Sequence, residues 1–182
     1  MNLGGLDMII EEIMNSDVCT LKKENTIEDA VQLMREKRIK HIPIVDGEHH
    51  LVGIVTDRDL KECTPSIFYF EEHKDVLKKQ LGSIMKTEVI TGHPLDFVEE
   101  VAAIFYENRI GCLPVIKDKR VVGIVTQTDL LHTLVELTGA HQPGSQIEIR
   151  VRNKMGMLFR LFSDIQNCKV NILSVLVYPD KK

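Results

Sequence analysis

A threonine three residues ahead of an aspartate occurs twice in the same setting. Thr56 and Asp59 lie in Gly53-Ile54-Val55-Thr56-Asp57-Arg58-Asp59-Leu60, and Thr126 and Asp129 in Gly123-Ile124-Val125-Thr126-Gln127-Thr128-Asp129-Leu130. A carboxylate accepts hydrogen bonds from the hydroxyls of a sugar, while a threonine hydroxyl beside helix N-terminal amides suits a phosphate. Each pair therefore has the chemistry of a nucleoside or nucleotide site. An apolar slot for the base can come from Ile42-Pro43 with Val18, and from Leu113-Pro114 with Val89, because proline removes a backbone donor and leaves neighbouring groups for a ligand. Thr20 and Thr91, close to those valines, belong to the same two candidate sites. The same threonines and aspartates also read as N-caps of a following helix that hold no ligand, and the sequence leaves both readings open.

Other constellations point away from catalysis. Asp57 and Asp59 alternate at a helix start, where carboxylates cap rather than form an acid/base pair. His49-His50 lacks a third ligand, and Cys19, Cys63, Cys112 and Cys168 are far apart with no C-x-x-C spacing, so no metal site and no disulfide framework is expected. The cysteines read as reduced thiols of a cytoplasmic protein. No nucleophile has a partner histidine in a recognised spacing, and neither a P-loop nor a dinucleotide glycine fingerprint is present. With 43% hydrophobic and 27% charged residues the chain can build a core, and its net charge of -4 supplies no general field for nucleic acid or an anionic membrane. No basic n-region precedes an apolar run at the N-terminus, and no apolar stretch is long enough to span a bilayer.

The elements that must position these residues come in two copies. Ile13-Met14 matches Ile84-Met85, Val18 matches Val89, Thr20 matches Thr91, Ile39 matches Ile110 and Pro43 matches Pro114, all 71 residues apart; from Gly53 and Gly123 onward the offset is 70. Two copies are too few for a solenoid and fit a pseudo-symmetric pair. In the first, Thr26 with Asp29 predicts a capped helix whose stripe is Ile27, Ala30, Val31 and Met34. In the second, Asp96 with Glu99 predicts the same cap, with Val98, Val101, Ala102 and Phe105 as the stripe. Short Val- and Ile-rich runs, 42–45, 51–55, 113–116 and 121–125, predict buried strands, and helices follow Thr56 and Thr126. The charged and aromatic stretch between the copies suits a helical spacer. Beyond the stop at Gly139 to Gly144, alternation over Ser145 to Val151, helical spacing over Met155 to Ile165 and a β-rich run over Val170 to Val177 predict a β-α-β tail.

The repeated G-h-h-T-x-x-D signature with its upstream h-P strand resembles a tandem CBS domain pair, or Bateman module, over Ile13 to about Thr138. The resemblance implies an α/β (α+β) fold in which two β-α-β-β-α units pack about a pseudo-twofold axis and form two clefts for adenosine derivatives. The tail resembles a truncated ACT-like β-α-β segment, and the segments His93 to Glu100 and Leu137 to Ile149 are similar to those of AcuB-type acetoin utilisation proteins. The expected division is 8–62 and 82–138 for the two CBS units, 63–81 for the spacer, 139–144 for a linker and 145–182 for the partial ACT-like domain. In the family, basic residues at the positions of Lys40, His41 and Arg58 meet phosphates. The second copy has Gly111, Cys112 and Thr128 there, so the resemblance implies polyphosphate binding around the first.

The expectation is a non-catalytic regulator that senses an adenine nucleotide (AMP, ADP, ATP or an NAD(H)-type ligand), requires no cofactor and forms a homodimer through its CBS pair. Control of acetoin utilisation rests on the resemblance. Two alternatives stay open: an enzyme of acetoin catabolism, and a purely structural interaction module with vacant clefts.

Overall fold

The computed structural model describes residues 8–63, 74–152 and 154–178. Its two compact units are Met1–Leu130 and Leu131–Lys182. In the first, α2 (Ile27–Lys37) leads into the antiparallel hairpin β1 (His41–Val45) and β2 (Leu51–Thr56), followed by α3 (Asp57–Cys63). The second copy repeats this with α5 (Val98–Asn108), β3 (Cys112–Lys117), β4 (Arg120–Thr126) and α6 (Gln127–Thr138), the last of which runs into the second unit. Both first helices end on an arginine in the left-handed region, Arg38 and Arg109, which stops the helix in the usual way. The change of offset falls in the hairpin loops. Copy one turns through Asp46 to His50 with Asp46 Oδ1 accepting from the amides of Glu48 and His50, whereas copy two turns tightly through Asp118 and Lys119, both at positive φ.

The predicted first strand of each unit is reduced to a single parallel bridge, Leu21 to Ile44 and Gly92 to Val115. Proline is the reason. On the outer edge of β1 the Val45 amide donates to Leu21 and the Pro43 carbonyl accepts from the Leu21 amide, but the next outward donor would be the N–H that Pro43 lacks. Pro114 truncates the second copy in the same way, with bonds from Ile116 to Gly92 and from Gly92 to Pro114.

The free edges of β2 and β4 are closed by exchange. Ahead of copy one, α1 (Ile10–Ile13) leads into Asn15, which exchanges two main-chain hydrogen bonds with Ile124 of copy two; ahead of copy two, α4 (Lys74–Leu77) and a 3-10 turn (Leu81–Ser83) lead into Lys86, which does the same with Ile54 of copy one. The cores follow suit. Ile27, Ala30 and Met34 pack on Ile42, Ile44 and Val55 together with Leu77 and Leu81, while Val98, Val101 and Phe105 pack on Leu113, Val115 and Val125 together with Ile10. Each half thus completes its core with residues that precede the other half in the chain. This crossing accounts for the repeated glycine. A Cβ on Gly53 would lie 2.9 Å from Met85 Sδ and 3.0 Å from the Lys86 carbonyl oxygen, and one on Gly123 would collide with Met14.

Three local expectations need correction. The Thr26 and Asp29 capping box forms with both of its hydrogen bonds, but Asp96 caps nothing. It accepts from the His93 amide as Asn25 accepts from Lys22, 71 residues earlier, and the N-cap of α5 is Phe97, which has no side-chain acceptor. On α5 only Val98, Val101 and Phe105 are buried, and Ala102 faces outward. In the tail α7 (Met157–Asn167) forms, yet neither flanking segment carries a strand ladder among the described residues, so the ACT-like sheet is not supported. An extended segment becomes a strand only by sharing main-chain hydrogen bonds; the side chain of Tyr178 instead donates to the Glu148 carboxylate, and that of Ser174 to the Thr138 carbonyl at the end of α6. The aromatic residues of the 63–81 spacer lie outside the described residues.

Replacing Gly53 with alanine should push against the Lys86 backbone and cost about 1–3 kcal/mol, as overpacking typically does. Gly47→Ala, which meets nothing within 4 Å, should stay within about 0.5 kcal/mol of the parent. Chemical denaturation midpoints of the two variants check this, and equal midpoints would contradict the crossing contact.

Candidate functional site

The loop from β2 into α3 is built by one carboxylate. Asp59 Oδ2 accepts from the Thr56 amide at 2.8 Å and from Thr56 Oγ1 at 2.6 Å. Asp129 does the same for Thr126 at 2.7 Å and 2.7 Å. In both loops the aspartate amide also donates to the threonine hydroxyl, at 3.3 and 3.4 Å, so each Thr-Asp pair closes a capping box at the start of its helix. Asp59 is also reached by a cation from the other half. Asp59 is only 7% exposed, and its second oxygen, Oδ1, takes the Lys86 ammonium at 2.9 Å. Burial pushes the Asp59 carboxyl up, but the Thr56 and Lys86 hydrogen bonds and the Lys86 charge outweigh it and hold the group below the usual aspartate value. Lys86 was not legible as a site residue. Its only sequence signal is that the matching position in copy one is Asn15, and it reaches Asp59 through the crossing of the two entry segments.

Around this carboxylate the first copy gathers charge. His41 opens β1 opposite Thr56, and a Cβ on Gly111 would stand 3.1 Å from its Nε2. Desolvation lowers the His41 pKa, the Lys40 charge lowers it further, and Asp57 and Asp59 pull the other way. Lys40 and Arg58 are exposed, and the Lys40 carbonyl accepts from the Asp57 amide. Asp57 is itself paired with Lys61 at 2.7 Å. In the second copy Gly111 and Cys112 stand in place of Lys40 and His41, and Thr128 is exposed in place of Arg58. Cys112 is buried, and burial pushes its thiol up to about 12, which leaves it protonated and a poor nucleophile at neutral pH.

The apolar part of the predicted set divides in two. Val18, Val89 and Cys112 come together with Ile54 and Ile124 in a small cluster fed by both copies. Ile42, Pro43, Leu113 and Pro114 are wholly buried, so their side chains belong to the two cores, and the Pro43 and Pro114 carbonyls are engaged by Leu21 and Gly92. Thr20 and Thr91 are half-buried. Two surface cavities, of about 540 and 410 Å³, are lined by other residues and contain none of the predicted site. Among the described residues no group of three or more His, Cys, Asp or Glu is placed to hold a metal ion, and no helix is long and apolar enough to cross a membrane.

Two hairpin-and-helix units, each closed by the other's entry segment and each presenting a Thr-Asp loop, define a paired α/β module. The CBS domain family matches residues 10–65 and 81–136, and the chain belongs to that family. A CBS domain-containing protein of Dictyostelium discoideum is 32% identical over 145 residues, covering 77% of this chain and all of that protein. The homoserine O-acetyltransferase of Methanohalobium evestigatum is 33% identical over 70% of this chain, but the match spans 24% of that enzyme. Among solved structures, a Vibrio cholerae protein described as an acetoin utilization protein (AcuB) is 30% identical with a TM-score of 0.64, over 76% of this chain and 98% of that one. The CBS domain pair of protein MJ0100, crystallised with 5'-methylthioadenosine and S-adenosyl-L-methionine, is 30% identical with a TM-score of 0.61, over 74% of this chain and 98% of that one.

Because the folded state lowers the His41 pKa from 6.5, the unfolded chain binds more protons once the pH falls below about that value. The stability that neutral His41 confers is complete above the ordinary histidine range and is lost as the pH drops through it. His41→Cys, which installs the copy-two residue, should flatten this part of the profile between about pH 7.5 and 5.5. Denaturation midpoints across that window check it, and a variant as acid-sensitive as the parent would assign the loss elsewhere.

Proposed function

We propose that this CBS pair is a non-catalytic sensor of an adenine nucleotide, AMP, ADP, ATP or an NAD(H)-type ligand, that regulates a partner protein or pathway. The observation that carries the reading is the doubled Thr-Asp loop beside an apolar cluster shared by both halves, in a fold whose MJ0100 relative was crystallised with adenosine compounds. The carboxylates would take ribose hydroxyls, and the cluster of Val18, Val89 and Cys112 would meet the base. Ile42, Pro43, Leu113 and Pro114 would contribute through backbone, with Thr20 and Thr91 beside them. Lys40, His41 and Arg58 would meet phosphates of a ligand in copy one, with Thr56 at its edge, while Thr126 and Thr128 give copy two a less charged site. Similarity to the acetoin utilization protein supports a role in acetoin use. A cytoplasmic homodimer joined through the CBS pair is part of the same proposal.

A panel of AMP, ADP, ATP, NADH and S-adenosylmethionine should include one member that raises the melting temperature. At ligand about a hundredfold above its dissociation constant the added stability is about 2.7 kcal/mol. Asp129→Ala or Asp59→Ala should weaken its own site roughly ten- to hundredfold, the loss expected for a hydrogen bond to a charged acceptor. Melting curves that no member shifts at millimolar concentration would favour a structural module with vacant clefts.

The division of labour is also proposed: units 8–62 and 82–138 bind, with 63–81 and 139–144 as connections. Deleting 145–182 should leave nucleotide affinity within about twofold by calorimetric titration, well inside the tenfold that 1.4 kcal/mol would produce. A truncated chain that folds but no longer binds would place the tail in the site.

A further inference from the structure

At Asp59 a residue from the other half already occupies the carboxylate. A carboxylate offers roughly four acceptor positions. The Thr56 amide and hydroxyl take two on Oδ2, and the Lys86 ammonium takes one on Oδ1 at 2.9 Å. A sugar that donates two adjacent hydroxyls to this group needs one position more than remains. It must displace the ammonium. Lys86 can move, because its side chain is 61% exposed while its backbone stays pinned to Ile54 by two hydrogen bonds. A displaced ammonium is still held close by that anchor, beside a carboxylate whose charge also reaches His41, and it needs an anion in exchange. The residue that bridges to copy two in the equivalent way is Asn15, a neutral side chain whose Oδ1 accepts from the Asp17 amide.

We infer that Lys86 is the specificity-determining residue of the Asp59 site: it competes with the ribose of an unphosphorylated nucleoside and pairs with the phosphate of a nucleotide, so this site selects phosphorylated adenosine compounds. Asn15, being neutral, offers no ammonium at the corresponding place. The inference rests on the adenine-ligand reading above and adds the class of ligand and the residue that sets it. It also explains how a lysine supplied by one half can report on the occupancy of the other. The ion pair that links Lys86 to Asp59 is exchanged for a contact with ligand, while the main-chain link remains.

The test is calorimetric titration of AMP and adenosine into the full-length chain carrying Asp129→Asn, which keeps a capping oxygen but weakens the second site. Lys86→Asn on that background should lower the ratio of AMP to adenosine affinity about tenfold or more, with adenosine binding unchanged or tighter. Lys86→Arg should keep the ratio. Losses of equal size for both ligands would make Lys86 a structural residue and overturn the inference, as would an unchanged ratio. If Lys86→Asn does not fold, the unsubstituted Lys86 chain decides: its ratio should shrink between roughly 0.05 and 0.5 M salt, since an exposed ammonium is screened, and a ratio indifferent to salt overturns the inference. Binding by the native chain that Asp129→Asn abolishes for both ligands would refute selection at Asp59 while leaving the nucleotide reading intact. A native chain that binds neither ligand would end both.

Discussion

Two main-chain pairings, Lys86 with Ile54 and Asn15 with Ile124, are what the rest of the first unit depends on. A two-stranded hairpin with helices on one side is marginal alone, because its outer edges keep unsatisfied donors and acceptors. Here Pro43 and Pro114 limit the outer edge of β1 and β3 to one parallel bridge, so β2 and β4 must be closed from elsewhere. The crossing segments do this and bring Leu77, Leu81 and Ile10 into cores that would otherwise lack them. Gly53 and Gly123 then follow as a requirement of close approach rather than of turn geometry, and the Thr-Asp loops are held at the ends of strands whose other edge is already fixed.

Most of this was readable where a local rule sufficed. Strands 42–45, 51–55, 113–116 and 121–125 were visible because Val and Ile cluster between charged turns, and the stripe Ile27, Ala30, Met34 because a capping box marks where its helix begins. The Thr-Asp pairing was visible from spacing alone. Failures came where a rule had two candidates. Asp96 fits a capping pattern with Glu99, yet the internal repeat places it at Asn25, and the repeat proved the better guide. The shortened first strands need the absence of an N–H at Pro43 and Pro114 to be read as a limit on pairing. Lys86 could not be found by spacing, because its partner lies in the other copy and only the crossing brings them together. The tail shows the reverse problem: Ser145 to Val151 and Val170 to Val177 have the composition of strands, but composition supplies no hydrogen-bonding partner.

The duplication kept the backbone and let the side chains diverge. Hairpin registers, left-handed helix ends and aspartate loops repeat residue for residue. Four polar or charged positions do not: Lys40, His41, Arg58 and Lys86 stand against Gly111, Cys112, Thr128 and Asn15. These four exchanges set three cationic side chains and a histidine against four neutral residues.

The crossed entry segments also govern the order in which the chain can mature. Ile10 and Asn15 are made early but have no place to go until Val98 to Val125 exists, and the first hairpin is complete long before Leu77, Leu81 and Lys86 arrive to cover it. Contacts of such long sequence separation form late and slowly. A nascent chain therefore carries an unfinished first half through much of its synthesis, and neither half can be cut out as a self-sufficient domain without taking along the piece of sequence that introduces its twin.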